Sequence, residues 1–368
     1  MIRIIVNLIG FSSNKNVGTL IFAKRLFRTI EGLGLKDFEF IYYAQESFDF
    51  KDFNIKNEAN IYRVPNLKSP LMRILYEQTL FRFKLCDADY IYTPYMTIPI
   101  MFSRYKQLVT IHDMVPFMLN NKYSKIKLFI IKLETKLSAF LSHKILTVSN
   151  NSKKDICEIL NVNNDKVCVV YNFINEDESV VKGRKDPNVL LKMGLDKPYF
   201  LTVATLQPGK NVERLIRSFA AFLKEHNNYQ LCIVGNKGWG YSSIFQEVEK
   251  CGVVNDVIFT GYQNDDVLDI LYQHCYGVVY VSLYEGFGIP PLEGFFHNKV
   301  AIVSNNSSLP EVVGNAAVLV DPKSEEDIAN GFKRFICEKD KLLLEVATQI
   351  NKFNPKSIVN KFLTQFIN

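Results

Sequence analysis

Tyr284-Glu285-Gly286-Phe287-Gly288-Ile289-Pro290-Pro291-Leu292-Glu293 decides how the chain is read. An apolar run, Gly277 to Val281 with Tyr280 inside it, precedes this stretch and reads as a buried strand. Gly294-Phe295-Phe296-His297 follows and reads as a helix begun by prolines. Proline is tolerated in a first helical turn, where the amide hydrogen has no intrahelical partner anyway. A strand, a glycine loop and a helix N-terminus form a ready anion site, because free amides and the positive dipole end converge there. Glu285 and Glu293 bracket the loop with seven residues between them. Carboxylates beside an anion site need a further reason, and binding sugar or ribose hydroxyls is one. Helix capping by Glu293 with a solvated Glu285 is the other.

Outward from this stretch the chain alternates. Strand-like runs at Arg3–Ile9, Phe38–Ala44, Asn60–Val64, Tyr90–Thr93, Leu108–His112, Lys144–Val148 and Val167–Tyr171 are interleaved with helical patterns, notably Thr19–Glu31, Pro70–Lys84, Ser124–Ser142 and Ser152–Leu160. A second series starts at Tyr199–Ala204 and runs through Gln230–Val234, Val257–Thr260, Val278–Val281 and Val300–Val303, with helical patterns at Val212–His226, Ser242–Lys250, Asp265–His274 and Pro290–His297. Such alternation implies parallel sheets wound on both faces. The expected fold is therefore α/β, two tandem Rossmann-like domains facing a cleft, with ligands at the carboxyl ends of the strands. Residues 1–175 form the first domain, 176–197 a charged linker and 198–353 the second. By analogy with the fold, 354–368 is a helix returning to the first domain.

Composition agrees with a globular protein: 48% hydrophobic and 22% charged over 368 residues. The apolar start, Met1-Ile2-Arg3-Ile4-Ile5-Val6, reads as a first strand and not a signal peptide. No apolar stretch approaches the roughly 20 residues of a membrane span. The seven cysteines are scattered without a CxxC pair and read as reduced thiols of a cytoplasmic protein. Residues 1–175 carry 24 Lys+Arg against 15 Asp+Glu, whereas the remainder carries 20 against 23. The basic half suits an anionic surface or substrate. Its densest segment, with Lys122, Lys125, Lys127, Lys132 and Lys136, reads as an amphipathic helix with a lysine face, either solvated or set against anionic lipid at the inner membrane face. No nucleic-acid partner is indicated.

Other candidates sit where strands end. The loop from Gly10 through Asn16 to Gly18 is long and polar but is no GxGxxG fingerprint and no P-loop, so it suits a substrate better than a dinucleotide. His112 and Asp113 close a strand, and a histidine there can hydrogen-bond a sugar hydroxyl. Lys210, just ahead of a helix in Gln207-Pro208-Gly209-Lys210-Asn211, can address phosphate together with the helix end. Asp87-Ala88-Asp89 precedes a strand and is discounted as a metal motif, and the histidines lack metal-ligand spacing. No metal and no cofactor is expected.

Together these residues resemble the retaining GT-B glycosyltransferases of family four. Glu285 to Glu293 match that family's E-x7-E motif, and Ser149 to Lys153 match its S-x-x-S-K segment. Val169-Val170-Tyr171-Asn172 resembles the strand-end asparagine before the linker, and Gln207 to Asn211 resembles the donor-site E-P-R-K-N. Gly235-Asn236-Lys237-Gly238-Trp239 is similar to a G-x-x-G-W loop of polysaccharide mannosyltransferase-like members; Thr260-Gly261-Tyr262 and Ser307-Ser308-Leu309-Pro310-Glu311 also fit. The resemblance implies that Glu293 holds ribose hydroxyls of a nucleotide sugar and Glu285 approaches the donor sugar. It places the amides of Phe287, Gly288 and Ile289 at the sugar or diphosphate, Lys210 at the leaving diphosphate, Tyr262 near the base and His112 at the donor sugar. Thr205, Gly209 and Asn211 complete the implied donor site, and Gly10, Asn16, Gly18 and Asp113 the acceptor side. One departure stands out. Where the family usually has an arginine near the lysine, this chain has Thr205 and Gly209, leaving Arg214 as the replacement to consider.

The expected protein is thus a metal-independent retaining hexosyltransferase of surface polysaccharide biosynthesis (lipopolysaccharide or capsule), cytoplasmic and peripheral to the membrane. It would use a nucleotide diphosphate sugar, GDP-mannose ahead of a UDP-sugar, and a glycan or lipid-linked oligosaccharide acceptor. A sugar-nucleotide epimerase of the same fold and a weakly active sugar-nucleotide-binding scaffold are the alternatives.

Overall fold

The computed structural model describes residues 1–11, 18–99, 105–118, 124–175 and 188–367. The chain divides into two units: Met1–Asn175 joined by Asn354–Asn368, and the stretch that ends at Phe353.

The first unit is built on a sheet of seven parallel strands ordered β3-β2-β1-β4-β5-β6-β7. They are β1 (Ile2–Asn7), β2 (Phe38–Gln45), β3 (Ile61–Val64), β4 (Tyr90–Thr93), β5 (Lys106–Thr110), β6 (Lys144–Thr147) and β7 (Val167–Val169). Ile4 and Ile5 of β1 have no exposed surface, as expected of a parallel strand covered on both faces. Parallel neighbours need crossovers, and helices such as Gly18–Leu33 and Lys125–Leu141 supply them. The C-terminal helix Pro355–Leu363 belongs to this unit because its aromatics pack into it. Phe362 lies 5.0 Å from Tyr92 and 6.3 Å from Phe27, and Phe366 lies 5.2 Å from Tyr90 between ring centroids. The pattern expected as one helix from Pro70 to Lys84 is a helix over Pro70–Gln78 followed by a 3-10 turn, Phe81–Phe83, because Thr79 leaves helical geometry at φ −125°.

The second unit has six parallel strands ordered β10-β9-β8-β11-β12-β13. They are β8 (Tyr199–Val203), β9 (Gln230–Val234), β10 (Val257–Gly261), β11 (Gly277–Tyr280), β12 (Ala301–Ser304) and β13 (Ala317–Val320). Phe200 on β8 anchors an aromatic core with Phe222, Phe332 and Phe335 at 4.8 to 6.2 Å. The sequence pattern omits β13 and the helices Leu309–Val313, Glu325–Leu343 and Val346–Lys352, and the segment expected as linker contains a short helix, Asn188–Lys192.

In both sheets the strand order reverses once, between β1 and β4 and between β8 and β11. Ligands in open parallel sheets bind beyond the carboxyl ends of the strands at that reversal.

Candidate active site

The loops that follow β8 and β11, the two strands flanking the reversal in the second unit, carry Lys210 and Glu285. The chain after β8 makes a 3-10 turn, Pro208–Lys210, and the Leu283 amide donates to the Gly209 carbonyl at 2.9 Å, joining the two loops. The Lys210 ammonium donates to Glu285 Oε1 at 2.6 Å and to the Tyr280 hydroxyl at 2.9 Å. Burial alone would lower the Lys210 pKa, but Glu285 and Tyr280 outweigh it and hold the ammonium well above its usual range. Burial, then the Glu285 charge, pushes the Tyr280 phenol up, so it stays protonated near neutral pH.

The next loop is held from outside. The Asn306 amide donates to Leu283 O at 2.8 Å, Ser307 Oγ accepts from the Glu285 amide at 3.2 Å, and Ser308 Oγ donates to the carbonyls of Phe287 and Glu285 at 2.8 and 3.0 Å. Gly288 begins the helix Ile289–Phe296 at φ +106°, and a Cβ there would lie 2.5 Å from Leu309 Cδ2, so only glycine fits. Pro290 and Pro291 contribute no N–H, which confines the donors at this helix start to the amides around Gly288 and Ile289. One turn on, Glu293 Oε2 accepts from the buried Tyr272 hydroxyl at 2.8 Å. The helix-start amides and two carboxylates thus lie on one loop and the helix it starts, and the ammonium of Lys210 reaches that loop from the turn after β8. Such a set can hold an anion together with neighbouring hydroxyls.

Tyr262, 58% exposed, follows β10, and Thr205 is exposed after β8. Asn211 follows the 3-10 turn. It is buried; its amide donates to Val281 O at 2.9 Å and Pro322 O at 2.7 Å, and its Oδ1 accepts from Arg214. These bonds tie the turn after β8 to Val281 and Pro322, so Asn211 braces the loop. Arg214, the replacement to consider for the absent arginine, directs NH1 to Asn211 Oδ1 at 2.5 Å and to Pro322 O at 3.2 Å.

In the first unit His112 lies two residues past the end of β5 and is buried. Its Nε2 is 3.1 Å from the Pro94 carbonyl, which can only accept, so Nε2 carries the hydrogen and Nδ1 is left as an acceptor. Burial pushes its pKa down to about 4, against the Pro94 contact, so the ring is neutral at pH 7. Asp113 Oδ1 accepts from the Val115 amide at 2.9 Å in a local turn. The Gly10 amide donates to the Tyr95 hydroxyl at 3.2 Å, and a Cβ on Gly10 would fall 2.6 Å from the Tyr95 ring and 2.7 Å from Arg73. Gly18 opens its helix at the surface. Asn16 and Lys122 lie outside the described residues. Lys125, Lys127, Lys132 and Lys136 share their helix with exposed apolar side chains, Ile126 and Phe140 at 76% and 77% among them, so the outer side is mixed and not purely cationic. Among the described residues no group of three His, Cys, Asp or Glu is placed to hold a metal ion, and no helix is long and apolar enough to cross a membrane.

Residues 190–353 match the family model described as Glycosyl transferases group 1, and residues 26–178 match the one described as Glycosyltransferase Family 4. The chain belongs to these glycosyltransferases. It is 30% identical over 250 residues to the O-antigen chain mannosyltransferase RfbU of Salmonella typhimurium, across 68% of this chain and 65% of the relative. It is 30% identical over 244 residues to the O-antigen chain mannosyltransferase B of Escherichia coli, across 66% and 64%. The match thus spans less than two thirds of these relatives' own length. The Anabaena protein Alr3699/HepE, solved with UDP and glucose, superposes with a TM-score of 0.76 over 99% of both chains at 16% identity, which identifies the glycosyltransferase fold as GT-B.

The parts played by Tyr272, Tyr280, His297 and Asn306 escape the sequence reading of this glycosyltransferase's site, and Ser307 and Ser308 enter it only as part of a matching segment. Tyr280 is visible only as the odd polar-tipped residue in an apolar strand, and nothing in spacing links Tyr272 to Glu293, 21 positions away.

Proposed function

We propose that the protein transfers a hexose from a nucleotide diphosphate sugar to a hydroxyl of a glycan or lipid-linked oligosaccharide, with retention of anomeric configuration, in surface polysaccharide synthesis. The observation that carries this is the Lys210–Glu285 pair at 2.6 Å beside the proline-started helix of Glu293. In this reading Lys210 and the Gly288 and Ile289 amides stabilise the charge that grows on the departing diphosphate. Glu293 takes the ribose hydroxyls, Tyr262 lies by the base, and Glu285 orients the donor sugar. The bond from the anomeric carbon to the phosphate oxygen breaks, the bond to the acceptor oxygen forms on the same face, and the leaving phosphate oxygen takes the acceptor's proton. His112, neutral and presenting Nδ1 as an acceptor, orients a hydroxyl without competing for that proton. Gly10, Gly18 and Asp113 belong to the acceptor side. That the two relatives are mannosyltransferases favours GDP-mannose, with a UDP-sugar second. No metal takes part. The exposed Ile126, Phe129, Leu133 and Phe140, flanked by Lys125, Lys127, Lys132 and Lys136, support peripheral binding to an anionic membrane at the cytoplasmic face.

The test is incubation with GDP-mannose and UDP-sugars. Slow release of nucleoside diphosphate supports transfer, interconversion of the sugar supports an epimerase, and absence of binding supports a scaffold. Glu293→Ala weakens nucleotide binding in calorimetry; an unchanged affinity rejects the donor assignment.

A further inference from the structure

Glu293 is gripped by a neighbouring helix. Tyr272, in the helix Asp265–His274, is buried, and its hydroxyl donates to Glu293 Oε2 at 2.8 Å. Its ring lies against the His297 imidazole, centroids 5.2 Å apart and planes inclined by 18°. His297 caps the C-terminal end of the helix that carries Glu293. Its Nδ1 is 2.8 Å from the Glu293 carbonyl oxygen and its Nε2 is 2.7 Å from Asp269 Oδ1. A carbonyl oxygen and a carboxylate both accept, so a ring N–H of His297 can donate to either. The second oxygen of Asp269 accepts from Gln273 Nε2 at 2.7 Å, which fixes that carboxylate in turn. Asp269, Tyr272 and Gln273 stand three and four positions apart on one helix face. That face therefore holds Glu293 twice, by its carboxylate and by its backbone.

We propose that Tyr272 and His297 are positioning residues for nucleotide recognition: the tyrosine hydroxyl fixes the plane of the Glu293 carboxylate, and His297 fixes the helix end that carries it, so that it meets the vicinal hydroxyls of a ribose. The proposal rests on Glu293 being the nucleotide-binding carboxylate. Its consequence is selectivity for ribose over 2′-deoxyribose, because a carboxylate held in one plane can accept from two adjacent hydroxyls, whereas a swinging one gains little from the second. Burial, then the Glu293 charge, holds the Tyr272 phenol well above its usual pKa, so it remains a donor throughout the working pH range.

The probes are GDP and UDP and their 2′-deoxy forms, titrated calorimetrically into the whole protein and its variants. Tyr272→Phe keeps the ring and loses only the hydroxyl. It is expected to weaken the ribonucleotide about tenfold, the lower end for a charge-assisted hydrogen bond. The 2′-deoxy form should be nearly unaffected, the donor KM should rise and kcat at saturating donor should hold. In a Glu293→Ala background the same change should cost nothing further, because the tyrosine acts through that carboxylate. His297→Gln should narrow the ribose preference in the same direction. If Tyr272→Phe and His297→Gln bind both nucleotide forms as the wild type does while Glu293→Ala is impaired, the proposal is wrong and the donor assignment survives. Equal losses for ribose and deoxyribose would reduce both residues to general scaffolding and also overturn it. An unimpaired Glu293→Ala overturns the donor assignment and the proposal with it.

Discussion

Gly288→Ala isolates the turn on which the donor site depends. Two separate costs meet there. An alanine at φ +106° lies outside the regions open to residues with a Cβ, which costs on the order of 1–3 kcal/mol. The added Cβ would also lie 2.5 Å from Leu309 Cδ2, and Leu309 is fully buried and cannot swing into solvent. Forcing a packed core side chain aside costs roughly 1–3 kcal/mol. The expected destabilisation is therefore about 2–6 kcal/mol. At about 2–4 °C per kcal/mol for a body of this size, the melting transition should fall by at least 4 °C. The assay is thermal melting with and without added GDP or UDP, repeated for Leu309→Ala and for the double variant. Leu309→Ala alone destabilises by opening a cavity, yet it makes room for the new methyl group, so the double variant should lose less than the two single losses combined. The part of the loss due to φ should remain, and nucleotide affinity should stay reduced. A Gly288→Ala protein that melts within 1 °C of the wild type and binds nucleotide equally well would refute both the turn geometry and its role.

Lys210→Met should lower kcat by about 10²-fold or more, as removal of a preorganised charge partner does, and should also destabilise the fold by stranding Glu285; adding Glu285→Gln should restore melting but not turnover. His112 titrates from an ordinary value near 6.5 when unfolded to about 4 when folded, so the unfolded chain binds the extra proton between those values. Its contribution is complete above pH 6.5 and is lost as pH falls toward 4, by roughly 3 kcal/mol in total. Urea unfolding followed from pH 7.5 to 4 should show that component in the wild type and not in His112→Gln; equal pH slopes in both would contradict it. Reversal of Lys125, Lys127 and Lys132 to Glu should abolish co-sedimentation with anionic vesicles, and unchanged sedimentation would remove the membrane partner.

Periodicity made most of both sheets legible, because a parallel strand covered on both faces has to be a continuous apolar run. Gln230–Val234 and Tyr90–Thr93 have the expected bounds. The Glu325–Leu343 helix was legible too, though not read: Ser324 Oγ accepts from the Asp327 amide at 3.1 Å, a capping signature of Ser followed three residues later by an acid. The break after Gln78 had no glycine or proline to announce it. Within the site, the chemistry-bearing side chains could be named from their places at strand ends, since topology alone carries those places to the sheet reversal. What holds them could not. Asn211 reads as a donor-site residue through the resemblance of Gln207 to Asn211 to the E-P-R-K-N segment. Only the structure shows its amide bonded to Val281 and Pro322, residues 70 and 111 positions away.

The missing arginine takes on a different weight once these supports are known. Where two cations share a diphosphate, either can be poorly placed and the other still neutralises charge. Here Arg214 directs NH1 to Asn211 and Pro322, so in the proposed reaction the ammonium of Lys210 carries the larger cationic part. That ammonium is not idle before the donor arrives: it is matched to Glu285 at 2.6 Å with both side chains largely withdrawn from water. A diphosphate reaching Lys210 must therefore compete with, or share, an existing partner. The favourable outcome is sharing, because the ammonium has three hydrogens and directs two of them at Glu285 and Tyr280. The Glu285 carboxylate would then stay beside the ammonium and oppose excess positive charge in the ground state, when the diphosphate is still bonded to the sugar. As the bond breaks and negative charge grows on the phosphate oxygen, the same ammonium binds it more strongly than before. Stabilisation that increases along the reaction, and not tight binding of the resting donor, is what raises kcat.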